Sequence, residues 1–375
     1  MTTEEQAPEV TAKGQLGAGR RPGLPWKGLA GIALSVLLLW FVFRDVHVAE
    51  VVGQIRGAHM PLLALSAFLI TVPFALRALR WGAILRPVYA GTRFRPRFAC
   101  TCIGFMANNL LPARVGEFAR AYALTRLEPV RLSESFGSLV VERMFDAIMV
   151  IGLLLVALAW PGFPDAGGRG YASIALFLAM ILAVGFALLL FLVSRPERAT
   201  RIIERIAART LPKRLRRRVA DAAVAFLMGA AVIRDARLVV QTLLWSATVW
   251  LTAGLATWVG FFAFDIDAPF IAAVFLQSII ALAVSLPSAP GFFGLFEAAA
   301  RVGLVDVWGI EASQAVAFAL GFHLAGYFPV TFIGLYYVWR LDFSWREVEQ
   351  SEEIVETAVE VGGDADRPAA EPPSP

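Results

Sequence analysis

Two matching stretches of the chain decide its fold. Residues 98–124 read FACTCIGFMANNLLPARVGEFARAYAL, and residues 270–301 read FIAAVFLQSIIALAVSLPSAPGFFGLFEAAAR. Each is an apolar run that stops at a Leu-Pro step, Leu111-Pro112 or Leu286-Pro287, and continues into glycine and charge. In lipid, a broken backbone is tolerated only where protein or a water-filled cavity satisfies it. Two breaks at matching places in two halves predict a transporter-type binding site there.

The composition places the chain in a membrane. It is 58% hydrophobic and 17% charged, and several runs approach the length of about 20 apolar residues that a bilayer requires. We expect an all-α, polytopic membrane protein with about six to eight spans. The net charge of +4 is explained by arginine-rich cytoplasmic loops, so no nucleic acid partner is expected. No metal site or cofactor is expected either, because Cys100 and Cys102 lie in an apolar run and no phosphate-binding loop is present.

Hydropathy and charge divide the chain into three parts. Residues 1–25 and 342–375 are predicted to be disordered cytoplasmic tails, the second one acidic, and residues 26–341 form the membrane domain. Within that domain, residues 61–160 and 238–340 repeat the order span, broken segment, span, and a basic cytoplasmic loop at 195–237 separates them.

Charge also predicts the orientation of these parts. We interpret residues 61–76 as a span and the arginine-rich residues 77–97 as a cytoplasmic loop. The second broken segment instead follows Asp265 and Asp267, predicted to lie outside. If both breaks are re-entrant, the halves form an inverted repeat. The sequence leaves open whether each broken segment is a re-entrant hairpin or two short crossings.

Charged residues gather around the two breaks. A charge at bilayer depth costs about 2.5 kcal/mol or more, so such residues either pair with one another or serve a function. Balanced charge suits a zwitterionic or phosphate-bearing headgroup, because arginine grips phosphate with its planar fork. The alternative is a set of internal salt bridges. The charged candidates are Arg114, Glu117, Arg120, Glu142, Arg143, Asp146, Glu297 and Arg301.

Several ordered motifs resemble one known family. The stretch 109–117 resembles its N-x-x-P-x-R-x-G-E signature, 142–146 its E-R-x-x-D signature, and 290–297 its P-G-G-x-G-x-x-E signature, while Arg80-Trp81 matches an R-W element. The family is the flippase-like membrane domain of lysylphosphatidylglycerol synthase/flippase. The candidate substrate-binding residues are therefore Asn109, Arg114, Glu117, Arg120, Glu142, Arg143, Asp146, Pro290, Gly291, Gly294 and Glu297, with no catalytic residue among them.

The resemblance implies a protein that moves or handles a lipid in a bacterial or archaeal inner membrane, with both termini cytoplasmic. Phe292 stands where the family usually has its second glycine. No aminoacyl-transferase domain follows, so aminoacylation of lipid is not expected.

Three functions are compatible with these features. The leading hypothesis is a translocator of a phospholipid or polyprenyl-phosphate, not an enzyme. The second is an accessory subunit that binds a lipid carrier for a glycosyltransferase or polyprenyl-phosphate pathway. The third is an intramembrane enzyme, which is disfavoured because no nucleophile, metal cluster or cofactor loop accompanies the carboxylates. A membrane-protein partner or a homo-oligomer stays open.

Overall fold

The computed structural model describes residues 26–111, 114–195, 229–286 and 288–351, with 198, 201, 205 and 227. All regular structure in these residues is helical, as the sequence predicts. The predicted tail at 1–25, residues 352–375 of the predicted tail 342–375, most of the basic loop 195–237, and the break residues Pro112 and Pro287 lie outside the described residues. The described start of the second tail contains a short helix at Trp345–Glu349, where disorder was predicted. The helices are α1 (Trp26–Phe43), α2 (Val48–Gly57), α3 (Met60–Leu85), α4 (Phe94–Leu110), α5 (Gly116–Leu127), α6 (Leu132–Leu158), α7 (Asp165–Ser194), α8 (Ala236–Ala263), α9 (Phe270–Ala283), α10 (Leu295–Arg301), α11 (Ala312–Arg340) and α12 (Trp345–Glu349).

Four of the described helices are long and apolar enough to cross a membrane: α3, α7, α8 and α11. A fifth crossing is formed if the bent pair α1 and α2, which meet at 82°, acts as one span. Helix α6 has 27 residues, enough for a bilayer, but it carries three charged residues at its centre. The expectation of an all-α polytopic membrane protein is confirmed, with four or five of the predicted six to eight spans found among the described helices by length and composition.

Helices α4 and α5 form an antiparallel hairpin, here called hairpin 1 (residues 94–127). At its open end, the backbone N–H of Arg93 donates to Glu128 Oε1 at 3.1 Å. At its tip, the N–H of Gly116 donates to Asn108 Oδ1 at 2.9 Å. The helices have 17 and 12 residues, about 26 and 18 Å long. Each is shorter than the bilayer core of about 30 Å, which favours the re-entrant alternative.

The second broken segment forms hairpin 2 (residues 270–307). Helix α9 rises to a short helical turn at Pro290–Phe292, and α10 descends and continues as a π-helical turn, Val302–Val307. Gly303 lies against Ile279, and the ring of Phe163 contacts both Phe275 and Trp308, so the two arms are antiparallel. Helix α9 has 14 residues, about 21 Å, and is again too short to cross.

The hairpins enter from opposite ends of α11. Phe98 near the start of hairpin 1 packs on Tyr337 at 6.0 Å between ring centroids, close to the last residue of α11. The backbone that leads into hairpin 2 accepts hydrogen bonds from Gln314, at the first turn of α11. This opposite entry is the arrangement that an inverted repeat requires.

The tips of both hairpins meet at the middle of α11. Tyr327, the sixteenth of its 29 residues, donates its hydroxyl to Asn109 O at 3.3 Å, and its ring packs on Phe293 of hairpin 2 at 5.6 Å. Pro329 lies two residues further along, inside the helix. Each hairpin has its own apolar core, one at each end of α11.

One predicted boundary was wrong. The span predicted at residues 61–76 extends to Leu85, so Arg77 and Arg80 lie on α3 and not in a loop. Both are buried and ion-paired with Asp146. Hydropathy ends a span at its first arginine, whereas here carboxylates on α6 allow the helix to continue through two of them.

Candidate functional site

A buried cluster of charged side chains lies where α3, α5 and α6 meet. Glu142 accepts a two-pronged ion pair from Arg120, with Nη1–Oε1 at 2.7 Å and Nη2–Oε2 at 3.0 Å. Arg80 also reaches Glu142 Oε1, at 3.2 Å. Glu142 and Arg80 are fully buried. We call this group the arginine cluster; it comprises Arg77, Arg80, Arg120, Arg143, Glu117, Glu142 and Asp146.

Asp146 is the second anchor of the cluster. It accepts from Arg77 Nη1 at 2.8 Å and from Arg80 Nη1 at 2.6 Å, and Arg143 Nη2 lies 3.2 Å from it. Helix α8 adds the indole N–H of Trp250, which donates to Asp146 Oδ1 at 3.0 Å. Four donors on one carboxylate fix its position, as expected for a charge held out of water.

One aromatic residue and two serines complete the lining of the cluster. The guanidinium of Arg120 stacks on Trp81 at 4.0 Å from the ring centroid, a cation–π contact. Trp81 in turn donates to Ser138 Oγ at 2.8 Å. Arg80 also donates to Ser246 Oγ at 2.9 Å. The Arg80-Trp81 element of the sequence therefore contributes twice at this cluster: Arg80 pairs with its carboxylates, and Trp81 provides the ring on which Arg120 stacks.

The arginine cluster carries more positive than negative charge. Four arginines (+4) face three carboxylates (−3), a net +1. The Nε atoms of Arg80, Arg120 and Arg143 are buried without a hydrogen-bond partner. Arg143 leaves 40% of its side chain exposed. Buried donors without partners and one accessible guanidinium leave capacity for an anion such as a phosphate.

Side chains of hairpin 1 hold its break in shape. The amide of Asn108 accepts from Gly116 N–H and donates to Glu117 Oε2 at 3.0 Å. Glu117 Oε1 lies 3.8 Å from Arg143 Nη1, so the break is connected to the arginine cluster. Asn109 points the other way and donates to Thr331 Oγ1 on α11 at 2.8 Å.

Arg114 joins the two breaks. It has a φ of 59°, which is rare for a residue with a side chain. Its Nη1 donates to the carbonyl of Ser285 at 2.5 Å, and its guanidinium lies 5.3 Å from the ring centroid of Phe292. The expectation that the two broken segments approach each other is confirmed at this contact.

The break of hairpin 2 is built from left-handed backbone. Gly291, Phe292 and Gly294 have φ values of 71°, 63° and 90°. Gly294 also lies against the backbone of Ser35 on α1, where a Cβ would not fit. Pro290 begins the short turn, so the tip of hairpin 2 is compact and packed on α1.

Glu297 at the start of α10 is fully buried and pairs with a histidine. Its Oε2 accepts from Gly294 N–H at 2.7 Å, and its Oε1 lies 2.6 Å from His323 Nδ1. The nearby Arg301 turns away and donates to the carbonyls of Phe41 and Val42. The spacing of four between Glu297 and Arg301 therefore does not produce an ion pair.

The predicted site residues fall into three groups. Five join the arginine cluster: Glu117, Arg120, Glu142, Arg143 and Asp146. Four lie in hairpin 2: Pro290, Gly291, Gly294 and Glu297. The last two, Asn109 and Arg114, contact α11 and the opposite hairpin. The sequence analysis did not place Arg77, Ser246, Trp250 or His323 in the site. Arg77 carries the same sequence signal as Arg80, because it is also an arginine in an apolar run, three positions earlier. Trp250 and His323 approach the site residues only through tertiary contacts.

Comparison with known proteins agrees with this architecture. The model of the family "Lysylphosphatidylglycerol synthase TM region" matches residues 28–334, and the chain belongs to this family of membrane proteins. It is similar to two UPF0104 membrane proteins of Methanothermobacter thermautotrophicus. The first is 28% identical over 80% of this chain and 90% of that protein; the second is 25% identical over 82% and 91%.

A third similarity is partial. Glycosyltransferase AglD of Haloferax volcanii is 32% identical over 142 residues, 37% of this chain and 22% of that protein.

Proposed function

We propose that this protein translocates a lipid with an anionic, phosphate-bearing headgroup across the membrane. The observation that carries the proposal is the arginine cluster: a buried site with net positive charge, unpartnered guanidinium N–H groups and one accessible arginine, next to the break of a re-entrant hairpin. The headgroup would enter between the hairpins while the chains stay in lipid.

The two opposed hairpins support movement rather than binding alone. Each enters from its own end of α11, and their tips meet at Tyr327. A headgroup held at this level lies at the middle of the longest described spans, where inverted repeats place their substrates.

The proposed orientation puts the end of α11 near Arg340 in the cytoplasm. Arg93, Arg95 and Arg340 lie around one 840 Å³ pocket at this end, in keeping with the positive-inside rule. In a background without Cys100 and Cys102, Arg95→Cys should react with an impermeant reagent only from the cytoplasmic side and Asp267→Cys only from outside. Outside labelling at position 95 would reverse this orientation.

Reconstitution tests the proposed function. Vesicles containing the protein and fluorescent phosphatidylglycerol, or a fluorescent polyprenyl-phosphate, are exposed to an impermeant quencher. We expect protein-dependent transfer of at least one lipid. Arg143→Gln should slow it about tenfold, since a charge-assisted hydrogen bond contributes about 1.5–3 kcal/mol.

Arg44→Gln is the matched control, because Arg44 is similarly exposed, at 46%, and also bonds a carboxylate, Asp45. It should transfer lipid at the wild-type rate. Wild-type transfer by a stable Arg143→Gln protein would reject the site. If the cluster were purely structural, Arg143→Gln would lower thermal stability without changing the transfer rate of the folded fraction.

The second candidate function is an accessory subunit that presents a lipid carrier to a glycosyltransferase. The partial similarity to Glycosyltransferase AglD of Haloferax volcanii favours it. Under this alternative the protein binds polyprenyl-phosphate saturably, Arg143→Gln weakens binding, and no lipid changes leaflet in the vesicle experiment.

A further inference from the structure

We propose that Glu297 and His323 form a proton-binding site and that its proton crosses the membrane together with the anionic lipid. This inference rests on the proposed function, because it assigns the ion that drives lipid movement. The site lies between hairpin 2, which carries Glu297, and α11, which carries His323, apart from the arginine cluster on the α3–α6 side.

The geometry of the pair points to a shared proton. His323 Nδ1 and Glu297 Oε1 are 2.6 Å apart, and two such atoms approach this closely only when one of them carries hydrogen. Glu297 is fully buried and His323 is 8% exposed. The ring of His323 is stacked on Phe296 at 4.2 Å, so the pair sits in apolar surroundings where a change in charge has a large effect.

No fixed charge among the described residues neutralises the pair. Arg301 on α10 is held by Phe41 O, Val42 O and Asp45. Described residues 31–43 of α1 and those of α9 carry no titratable side chain. Among the other titratable groups on the elements packed around the pair, the ring of Tyr327 lies 6.4 Å from that of His323, Glu50 accepts from Ser313 Oγ, and Arg77 and Arg80 pair with Asp146.

The Glu297–His323 pair contacts the tip of hairpin 2, the segment that would have to move during lipid transfer. Glu297 Oε2 holds the N–H of Gly294 in its left-handed conformation, and His323 packs on Phe293 of the same tip at 4.7 Å. One helical turn further, Tyr327 contacts Asn109 of hairpin 1. A change in protonation therefore acts on the backbone of hairpin 2 next to the contact between the two hairpins.

The charge balance fixes the direction of coupling. With one proton the pair is neutral overall, and with two it carries +1. A second proton taken up with a headgroup of charge −1 gives a neutral unit, which avoids the cost of moving a charge across the membrane potential. The proton enters from one side, resides on the Glu297–His323 pair, and leaves with the lipid on the other side, so lipid and proton move in the same direction.

The test uses the full-length protein in vesicles of phosphatidylcholine and phosphatidylglycerol, with fluorescent phosphatidylglycerol as the lipid probe and a trapped pH-sensitive dye. We expect an inside-acidic gradient to accelerate appearance of the probe in the outer leaflet several-fold over equal pH. A protonophore should remove this acceleration. The lumen of these vesicles should also lose protons faster than the lumen of protein-containing vesicles made of phosphatidylcholine alone.

His323→Gln and Glu297→Gln should each abolish the response to the gradient. His59→Gln is the matched control, because His59 pairs with Asp265 at 3.3 Å on the exposed surface, and it should keep the full response. Lipid transfer by the wild-type protein at the same rate with and without the gradient would overturn the inference while leaving the proposed function intact. Absence of any protein-dependent transfer would reject the proposed function itself. If a variant fails to fold, the wild-type gradient and protonophore experiments still decide.

Discussion

The two hairpins share a backbone design and differ in chemistry. Each is a pair of short antiparallel helices that enters from one end of α11 and stops at its middle. Hairpin 1 packs on a cluster of four arginines and three carboxylates. Hairpin 2 has one buried carboxylate, Glu297, and its partner is a histidine. Matching halves of one membrane domain therefore pair their buried carboxylates with different cations, guanidinium groups in one half and an imidazole in the other.

The difference follows from the partners that each carboxylate has. Guanidinium groups stay protonated at any relevant pH, whereas imidazole loses its proton easily. The arginines of the cluster thus keep their charge, whereas our proposal assigns the uptake and release of a proton to the Glu297–His323 pair. The comparison predicts that equivalent mutations in the two hairpins have unequal effects.

The largest loss of stability is expected from removing the carboxylate of Glu142 from the arginine cluster. Glu142→Ala leaves the buried Arg120 without its carboxylate partner and leaves Arg80 and Arg143 with Asp146 alone, which should cost about 3–5 kcal/mol of stability. Glu297→Ala leaves a histidine that can become neutral, so about 1–3 kcal/mol is expected. Thermal unfolding of the purified proteins in detergent measures both, with the exposed Asp265→Asn as control. Equal losses for the two variants would contradict the comparison.

A second pair of variants compares how the arms of each hairpin pack. A Cβ at Gly116 would collide with the backbone carbonyl of Gly104 and approach Asn108 Cγ to 2.6 Å. A Cβ at Gly303 meets only side-chain ends, Ile279 Cδ1 at 2.7 Å and Leu276 Cδ1 at 2.8 Å. Gly116→Ala should therefore lose about 3 kcal/mol and Gly303→Ala about 1 kcal/mol, measured by the same unfolding assay. The reverse order would show that hairpin 1 is the more adaptable of the two.

The third prediction concerns Phe292, where the resembling family usually has glycine. Its φ of 63° costs about 1–2 kcal/mol for a residue with a side chain. Phe292→Gly relieves this strain but removes the cation–π contact with Arg114, about 0.5–1 kcal/mol, and adds freedom to the unfolded chain. We expect a net change in stability within about 1 kcal/mol. A loss well beyond that would show that the aromatic ring is a principal contact between the two breaks.

The smallest effect is expected at the outer brace of hairpin 1. Glu347 on α12 accepts from Arg126 at 2.9 Å and from Tyr122 at 3.1 Å on α5. Partial burial opposes its charge, but hydrogen bonds from Ser344 and the charge of Arg126 hold the pKa of Glu347 below its ordinary value of 4.5. A lowered pKa means that the contact stabilises fully above about pH 4.5 and is lost as the pH falls through the lower folded-state value.

Glu347→Gln should therefore cost less than about 1 kcal/mol at neutral pH, since the pair is partly exposed. The stabilities of wild-type and variant proteins should converge in acid. A difference that stays constant from neutral to acidic pH would show that the carboxylate charge has no part in this brace.

Much of the fold could be predicted from the sequence because its signals are local. A Leu-Pro step followed by glycine and charge marks each break, and the breaks meet at Arg114 as expected. The end of α3 could not be predicted, because Arg77 and Arg80 resemble a topology signal until Asp146 on α6 is placed beside them. The pairing of Glu297 with His323 could not be predicted from the sequence either. The nearer cation in sequence, Arg301, is drawn away by free carbonyls at the end of α1.

The proline in α11 has a mechanical consequence. Pro329 has no N–H, so the carbonyl of Ala325 lacks its usual helical partner, and the helix is weakest beside Tyr327, where both hairpin tips rest. A bend at this point would tilt one half of α11 away from its hairpin while the other half keeps its packing. Bending of α11 at its centre would then open the domain toward one face of the membrane and close it toward the other. The helix itself would couple the movements of the two hairpins.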